Sequence, residues 1–211
     1  MIYIYGDSHA DFTFRNIKVP HRNYFCSSIT MHRIGRDNTI VNFNREDHDE
    51  DSIICFLYGE VDCRCHIAQQ IHRGRNEDDI ILTLVDTYLN TIYNNVKVYN
   101  SILVFAVVPP TQQTQYEQIN GPIQHEFPFV GTDEDRVRFT KKMNTLLEIK
   151  CSEYKYIFIN PYESYTMENG CLRHELSDGS VHISKNEEIH NIFYEVIEKI
   201  WRKSISAINI G

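Results

Sequence analysis

The chain has 211 residues, 29 acidic against 21 basic side chains, a formal charge of −8 and a hydrophobic fraction of 42 %. That length suits one domain of ordinary size, and the composition excludes wholesale disorder. The acidic balance argues against nucleic acid as the main partner, since phosphate binding needs a basic surface, and no apolar run approaches the about 20 residues of a membrane span.

Chain order then gives strand alternating with helix. Ile2 to Tyr5 is a short apolar run ending at Gly6-Asp7 and reads as the first strand. Before it there is no cationic segment and no long apolar segment, so a signal peptide is not expected and a cytoplasmic chain with reduced thiols is. Asn23 to Ser27 reads as a second strand, and the acid-rich stretch Arg33 to Asp51 as a solvated loop. Ser52 to Tyr58, stopped by Gly59, has the continuous apolar character of a strand covered on both faces. Cys63, Cys65 and His66 follow closely, but structural zinc takes two ligand pairs and no second pair is visible, so no metal and no cofactor is expected.

Asn76 can cap a helix whose first turn holds Glu77, Asp78 and Asp79, with Ile81, Leu84, Val85, Tyr88, Ile92 and Val96 at helical spacing. Ser101 to Val108 predicts a fourth strand, and Thr111 to Gly131 a long Gln-rich loop beside the functional site. Thr132 with Asp135 starts another helix, and Tyr154 to Ile159 reads as the last strand. Ser184 with Glu187 forms a capping box for the final helix, which presents Ile189, Ile192, Phe193, Val196, Ile200 and Trp201 on one face. The alternation predicts an α/β fold, a three-layer α/β/α sandwich on a flavodoxin-like parallel sheet of about five strands in the order 2-1-3-4-5, as a single domain over residues 1–211.

In such a sheet, ligands bind beyond the carboxyl ends of the strands. Gly6-Asp7-Ser8-His9 follows the first strand, Gly59-Glu60-Val61-Asp62-Cys63-Arg64 the third, and Asp178-Gly179-Ser180-Val181-His182 precedes the last helix. A serine, a histidine and an acid thus share one rim, the set that nucleophilic catalysis needs: serine is inert until a base takes its proton, and a carboxylate orients that base. Asp178 beside His182 is expected to favour the imidazolium and raise its pKa. The serine does not sit in the Gly-x-Ser-x-Gly elbow of α/β-hydrolases, because Ala10 follows His9.

These blocks resemble the SGNH (GDSL-type) hydrolase superfamily over nearly the whole chain. The resemblance implies that Ser8 is the nucleophile, His182 the base and Asp178 its orienter, with the Ser8 amide in the oxyanion hole. The block from Gly59 to Asp62 looks like the family's Gly-x-Asn-Asp, with Val61 in place of the oxyanion asparagine and three residues rather than two between Asp178 and His182. The block-two glycine has no clear counterpart; Ser27 sits at about the right place. Arg64 either supplies the missing oxyanion donor or forms a structural ion pair with Asp62 or a surface acid. The implied function is a serine esterase that removes a small acyl group, acetyl foremost, from a carbohydrate or similar polar substrate. The alternatives are an O-acyltransferase with the same triad and a non-catalytic carbohydrate-binding relative. The oxyanion and substrate-binding set expected from these blocks is Gly59, Asp62, Arg64 and Ser27; the expected partner is a small-molecule or glycan ester, with neither nucleic acid nor membrane.

Overall fold

Residues Ile2, Tyr3, Ile4 and Tyr5 are all buried, yet they face two different cores: Ile2 and Ile4 pack with Phe14, Phe105 and Phe193, while Tyr3 and Tyr5 pack with Ile34, Tyr88 and Met143. A strand apolar on both faces must be covered on both faces, and this sets the architecture. The computed structural model describes residues 1–98, 100–123 and 127–208. Its strands are β1 (Ile2–Gly6), β2 (His21–Phe25), β3 (Ile53–Leu57), β4 (Ser101–Phe105) and β5 (Ile157–Ile159), and its helices are α1 (Ser8–Phe14), α2 (Met31–Asp37), α3 (Ile67–His72), α4 (Glu77–Asn95), α5 (Gln113–Asn120), α6 (Asp133–Tyr154) and α7 (Glu187–Ile208).

All strand pairs are parallel, in the order β2-β1-β3-β4-β5, as the alternation predicted. Residues of α1 and α7 fill one core, and residues of α2, α4 and α6 fill the other. Gly6 pairs with Phe25 on one side and Leu57 on the other, so the segments leaving β2, β1 and β3 emerge side by side at the point where strand order reverses. Among the described residues, no helix is long and apolar enough to cross a membrane.

Five expectations change. The stretch Arg33 to Asp51 is not a plain solvated loop: α2 occupies its start, Ile34 and Ile40 are buried, and the buried His48 meets the Tyr5 hydroxyl at 2.9 Å. Within Thr111 to Gly131, α5 forms, and β5 starts only at Ile157 because α6 runs on to Tyr154 and closes with Lys155 in the left-handed conformation. The Ser184–Glu187 capping box is absent, since α7 begins at Glu187 and the Ser184 hydroxyl donates instead to the Ser177 carbonyl at 2.7 Å. Trp201 on α7 is 42 % exposed rather than core.

Candidate active site

Gly6 ends β1 where the chain must reverse sharply. A Cβ there would stand 2.2 Å from the Ala10 Cβ and 2.7 Å from the Leu57 carbonyl oxygen, so only glycine lets strand pass so tightly into helix. Asp7 caps the helix, its Oδ1 accepting the His9 amide at 2.9 Å. Ser8 therefore opens α1 on the rim of the sheet.

The segment Asp178 to His182 folds back on itself. The Asp178 amide donates to the His182 carbonyl at 3.0 Å, and Asp178 Oδ1 accepts the amides of Ser180 and His182 at 2.8 and 3.2 Å. This turn absorbs the extra residue between acid and histidine and leaves Oδ2 for His182 Nδ1 at 2.9 Å. His182 Nε2 lies 3.1 Å from Ser8 Oγ. The tautomer that serves both partners carries its proton on Nδ1, donating to Asp178, and leaves Nε2 to accept from the Ser8 hydroxyl. The Phe12 ring stacks flat on the imidazole, centroids 4.1 Å apart and planes within 5°, and fixes its plane.

The direction expected for His182 is reversed. Burial lowers its pKa below 6.5, the charge of nearby His9 lowers it further, and the Asp178 hydrogen bond and charge recover only part of this. His9, whose ring centroid is 4.8 Å away, was not singled out as functional. It is buried, which opposes its charge, but a 3.2 Å contact with Glu60 and the field of Asp7 win and raise its pKa. Glu60 is buried too, which favours its neutral form, yet Arg64 and His9 together bring its pKa down to about 2. The four-residue spacing of Glu60 and Arg64, one helical turn, is the sequence signal that could have revealed this pair.

The expected oxyanion and substrate set divides. Ser27 lines the pocket over Ser8, together with Ser28 and Val61. Gly59 does not; it is packed under the site at φ +115°, where a Cβ would meet the Val107 side chain at 2.8 Å, and it serves the turn out of β3. Nor can Asp62 touch a substrate. It is fully buried at the start of a widened π turn, Asp62–His66, and its carboxylate accepts the amides of Met31 and His32 at 2.7 and 3.4 Å, tying α2 to the third block. Arg64 pairs with Glu60 at 2.8 Å, not with Asp62 or a surface acid, and its Nη1 donates to the Phe127 carbonyl at 2.7 Å, so two of its edges are committed to structure. It nevertheless stays on the pocket wall. Among the described residues no three His, Cys, Asp or Glu side chains cluster so as to hold a metal, and Cys63 and Cys65 are buried.

Ser28 carried no signal in the sequence. It stands at φ +66°, a conformation that glycine usually occupies, in the loop after β2 where the block-two glycine was sought. Neither its amide nor that of Ser8 has a hydrogen-bond partner among the described residues. Tyr116, Ile123 and Phe127, from the stretch expected beside the site, close a cavity of about 380 Å³ over Ser8 and His182.

No family model matches the chain, and no curated protein does. Solved structures do. A protein from Streptococcus pneumonia provisionally described as a platelet activating factor superposes with a TM-score of 0.62 at 13 % identity, over 94 % of this chain and 83 % of that one. A provisionally assigned acylhydrolase from Bacteroides fragilis gives 0.57 at 16 %, over 94 % and 86 %. A GDSL-like lipase from Bacteroides thetaiotaomicron gives 0.56 at 16 %, over 94 % and 87 %. With its strand order and these superpositions, the chain carries the fold of the SGNH (GDSL-type) hydrolases.

Proposed function

We propose that this protein is a serine esterase that removes a small acyl group, acetyl foremost, from a carbohydrate or similar polar substrate. The observation that carries the reading is the unbroken chain Ser8 Oγ, His182 Nε2, His182 Nδ1, Asp178 Oδ2, with links of 3.1 and 2.9 Å, opening on a pocket. In this reading Ser8 Oγ attacks the ester carbonyl as its proton passes to His182 Nε2, and Asp178 holds the imidazolium that forms. The Ser8 and Ser28 amides stabilise the oxyanion, the Ser28 backbone serving as the block-two donor, and the hole works without the side-chain amide that Val61 displaces. The protonated His182 then gives its proton to the leaving alcohol, and water releases the acyl group by the same steps. A cavity of about 380 Å³ with Val61, Ile123 and Phe127 among its walls suits a short acyl chain.

The test is labelling with a fluorophosphonate together with acetate release from acetylated sugars. A wild-type protein that labels on Ser8 and releases acetate, both lost in Ser8→Ala, supports the esterase. A folded wild-type protein that does neither refutes it and leaves the non-catalytic binding relative.

A further inference from the structure

Arg64 is held unusually well for a residue on a pocket wall. Its Nε donates to Glu60 at 2.8 Å and its Nη1 to the Phe127 carbonyl at 2.7 Å, while its own carbonyl accepts the Val130 amide at 3.0 Å. The guanidinium also lies over the Phe129 ring, 5.8 Å from its centroid. A guanidinium carries five N–H donors in a rigid fork, and Nη2 has no hydrogen-bond partner among the described residues. The side chain is only 7 % exposed, so water serves those donors poorly. Around the same cavity stand the hydroxyls of Ser27, Ser28 and Ser180, which make no side-chain hydrogen bond among the described residues, and no described lining residue is acidic. The walls thus combine one guanidinium with hydroxyls that can turn their protons toward an anion, and no described carboxylate among the lining residues competes for them.

Resting on the esterase reading above, we infer that the substrate carries a carboxylate near its scissile ester, received by Arg64 Nη2 and the pocket serines. Planar fork and planar carboxylate match in shape, and a charge-assisted hydrogen bond to a largely buried guanidinium is stronger than a neutral one. Glu60 makes Arg64 a fixed receptor instead of a mobile arm, so little rotamer freedom is lost when the anion arrives. The carboxylate can belong to the acyl group or to the alcohol, a uronic acid in the sugar case.

Two matched pairs separate these sources: methyl hydrogen succinate against methyl butyrate for the acyl side, and acetylated methyl glucuronide against acetylated methyl glucoside for the alcohol side. In at least one pair, kcat/KM should favour the carboxylated ester by about ten- to a hundredfold, the range for a hydrogen bond to a charged group. Arg64→Gln should bring that ratio to about one, and Arg64→Lys, which keeps the charge but loses the fork, should hold an intermediate ratio. Equal kcat/KM within both pairs for the wild-type protein overturns the inference without any variant. Calorimetry with methyl glucuronide, hydrogen succinate and their neutral counterparts reads the anion site apart from the chemistry. If fluorophosphonate labelling fails, the esterase reading falls; Arg64-dependent binding of a carboxylate then still upholds the anion site, and its absence removes that too.

Discussion

Two neighbours pull the His182 imidazole in opposite directions, and burial decides between them. Desolvation and the charge of His9 disfavour the imidazolium, while Asp178 favours it, and the net pKa lies below 6.5. A general base works only when neutral, so a lowered pKa preserves activity toward acid. The acid limb of the kcat/KM profile should fall below pH 6.5, and His9→Gln, by removing a positive neighbour, should move it upward. A wild-type limb at or above 6.5, or one that stays put in His9→Gln, contradicts this account. The second residue at issue is Asp178, the orienting acid of the proposed mechanism. Asp178→Asn removes the acceptor that fixes the tautomer and should lower kcat on the order of 10³- to 10⁴-fold. Glu175, the other carboxylate of that region, is exposed and engaged with Arg173 at 2.8 Å, so Glu175→Gln should leave kcat within about twofold. If the two variants exchange these outcomes, the hydrogen-bonded turn from Asp178 to His182 does not act in catalysis.

At the scale of elements, the site depends on how three loops leave β1, β2 and β3. Gly59→Ala places a side chain at φ +115° and 2.8 Å from Val107, so it should cost on the order of 1–3 kcal/mol and displace the π turn carrying Val61 and Arg64. Ser28→Gly should do the reverse. Glycine accepts φ +66° without strain, which should add about 1 kcal/mol of stability, or about 2–4 °C in Tm, with activity kept because the amide remains. A large loss of activity in a folded Ser28→Gly protein would transfer the role from the amide to the hydroxyl. The same elements show what the sequence discloses. Strands apolar on both faces and the Asn76 and Thr132 caps announce themselves through residue type, and both caps form. The Ser8, His182 and Asp178 blocks were legible because each follows or precedes a recognisable element. Only two of the seven residues of α2, Met31 and Ile34, are buried, so it left too short a pattern to see. A positive φ at Ser28 is a property of conformation that no residue type encodes, whereas the Glu60–Arg64 pair left a trace in its four-residue spacing, and only the bond from Arg64 to the Phe127 carbonyl had none.

For the molecule as a whole, the buried charges beneath the site set how stability varies with pH. Asp7 is 1 % exposed, its Oδ1 accepts the His9 amide, and its Oδ2 is buried without a partner. Burial outweighs the attraction of His9 and raises its pKa from 3.8 to about 6. An acid whose folded pKa is raised contributes stability that is complete below the unfolded value and is lost as pH rises through the folded one. For Asp7 that window runs from 3.8 to about 6, and the shift corresponds to a loss on the order of 2–3 kcal/mol. Glu60 has the opposite sign: with its pKa lowered from 4.5 to about 2, its stabilisation is complete above 4.5 and disappears as pH falls toward 2. The two windows scarcely overlap, so denaturant midpoints taken at intervals between pH 3 and 8 separate them. Asp7→Asn keeps a cap of equal quality and cannot ionise, so its stability relative to wild type should rise steadily between pH 3.8 and 6 and then level off. Since Asn also leaves a polar atom at the unpartnered Oδ2 position, its absolute stability at one pH decides little; the slope decides. A wild-type minus Asp7→Asn difference that is flat across that window would mean that Asp7 titrates normally, and that the turn from β1 into Ser8 holds no buried charge under strain.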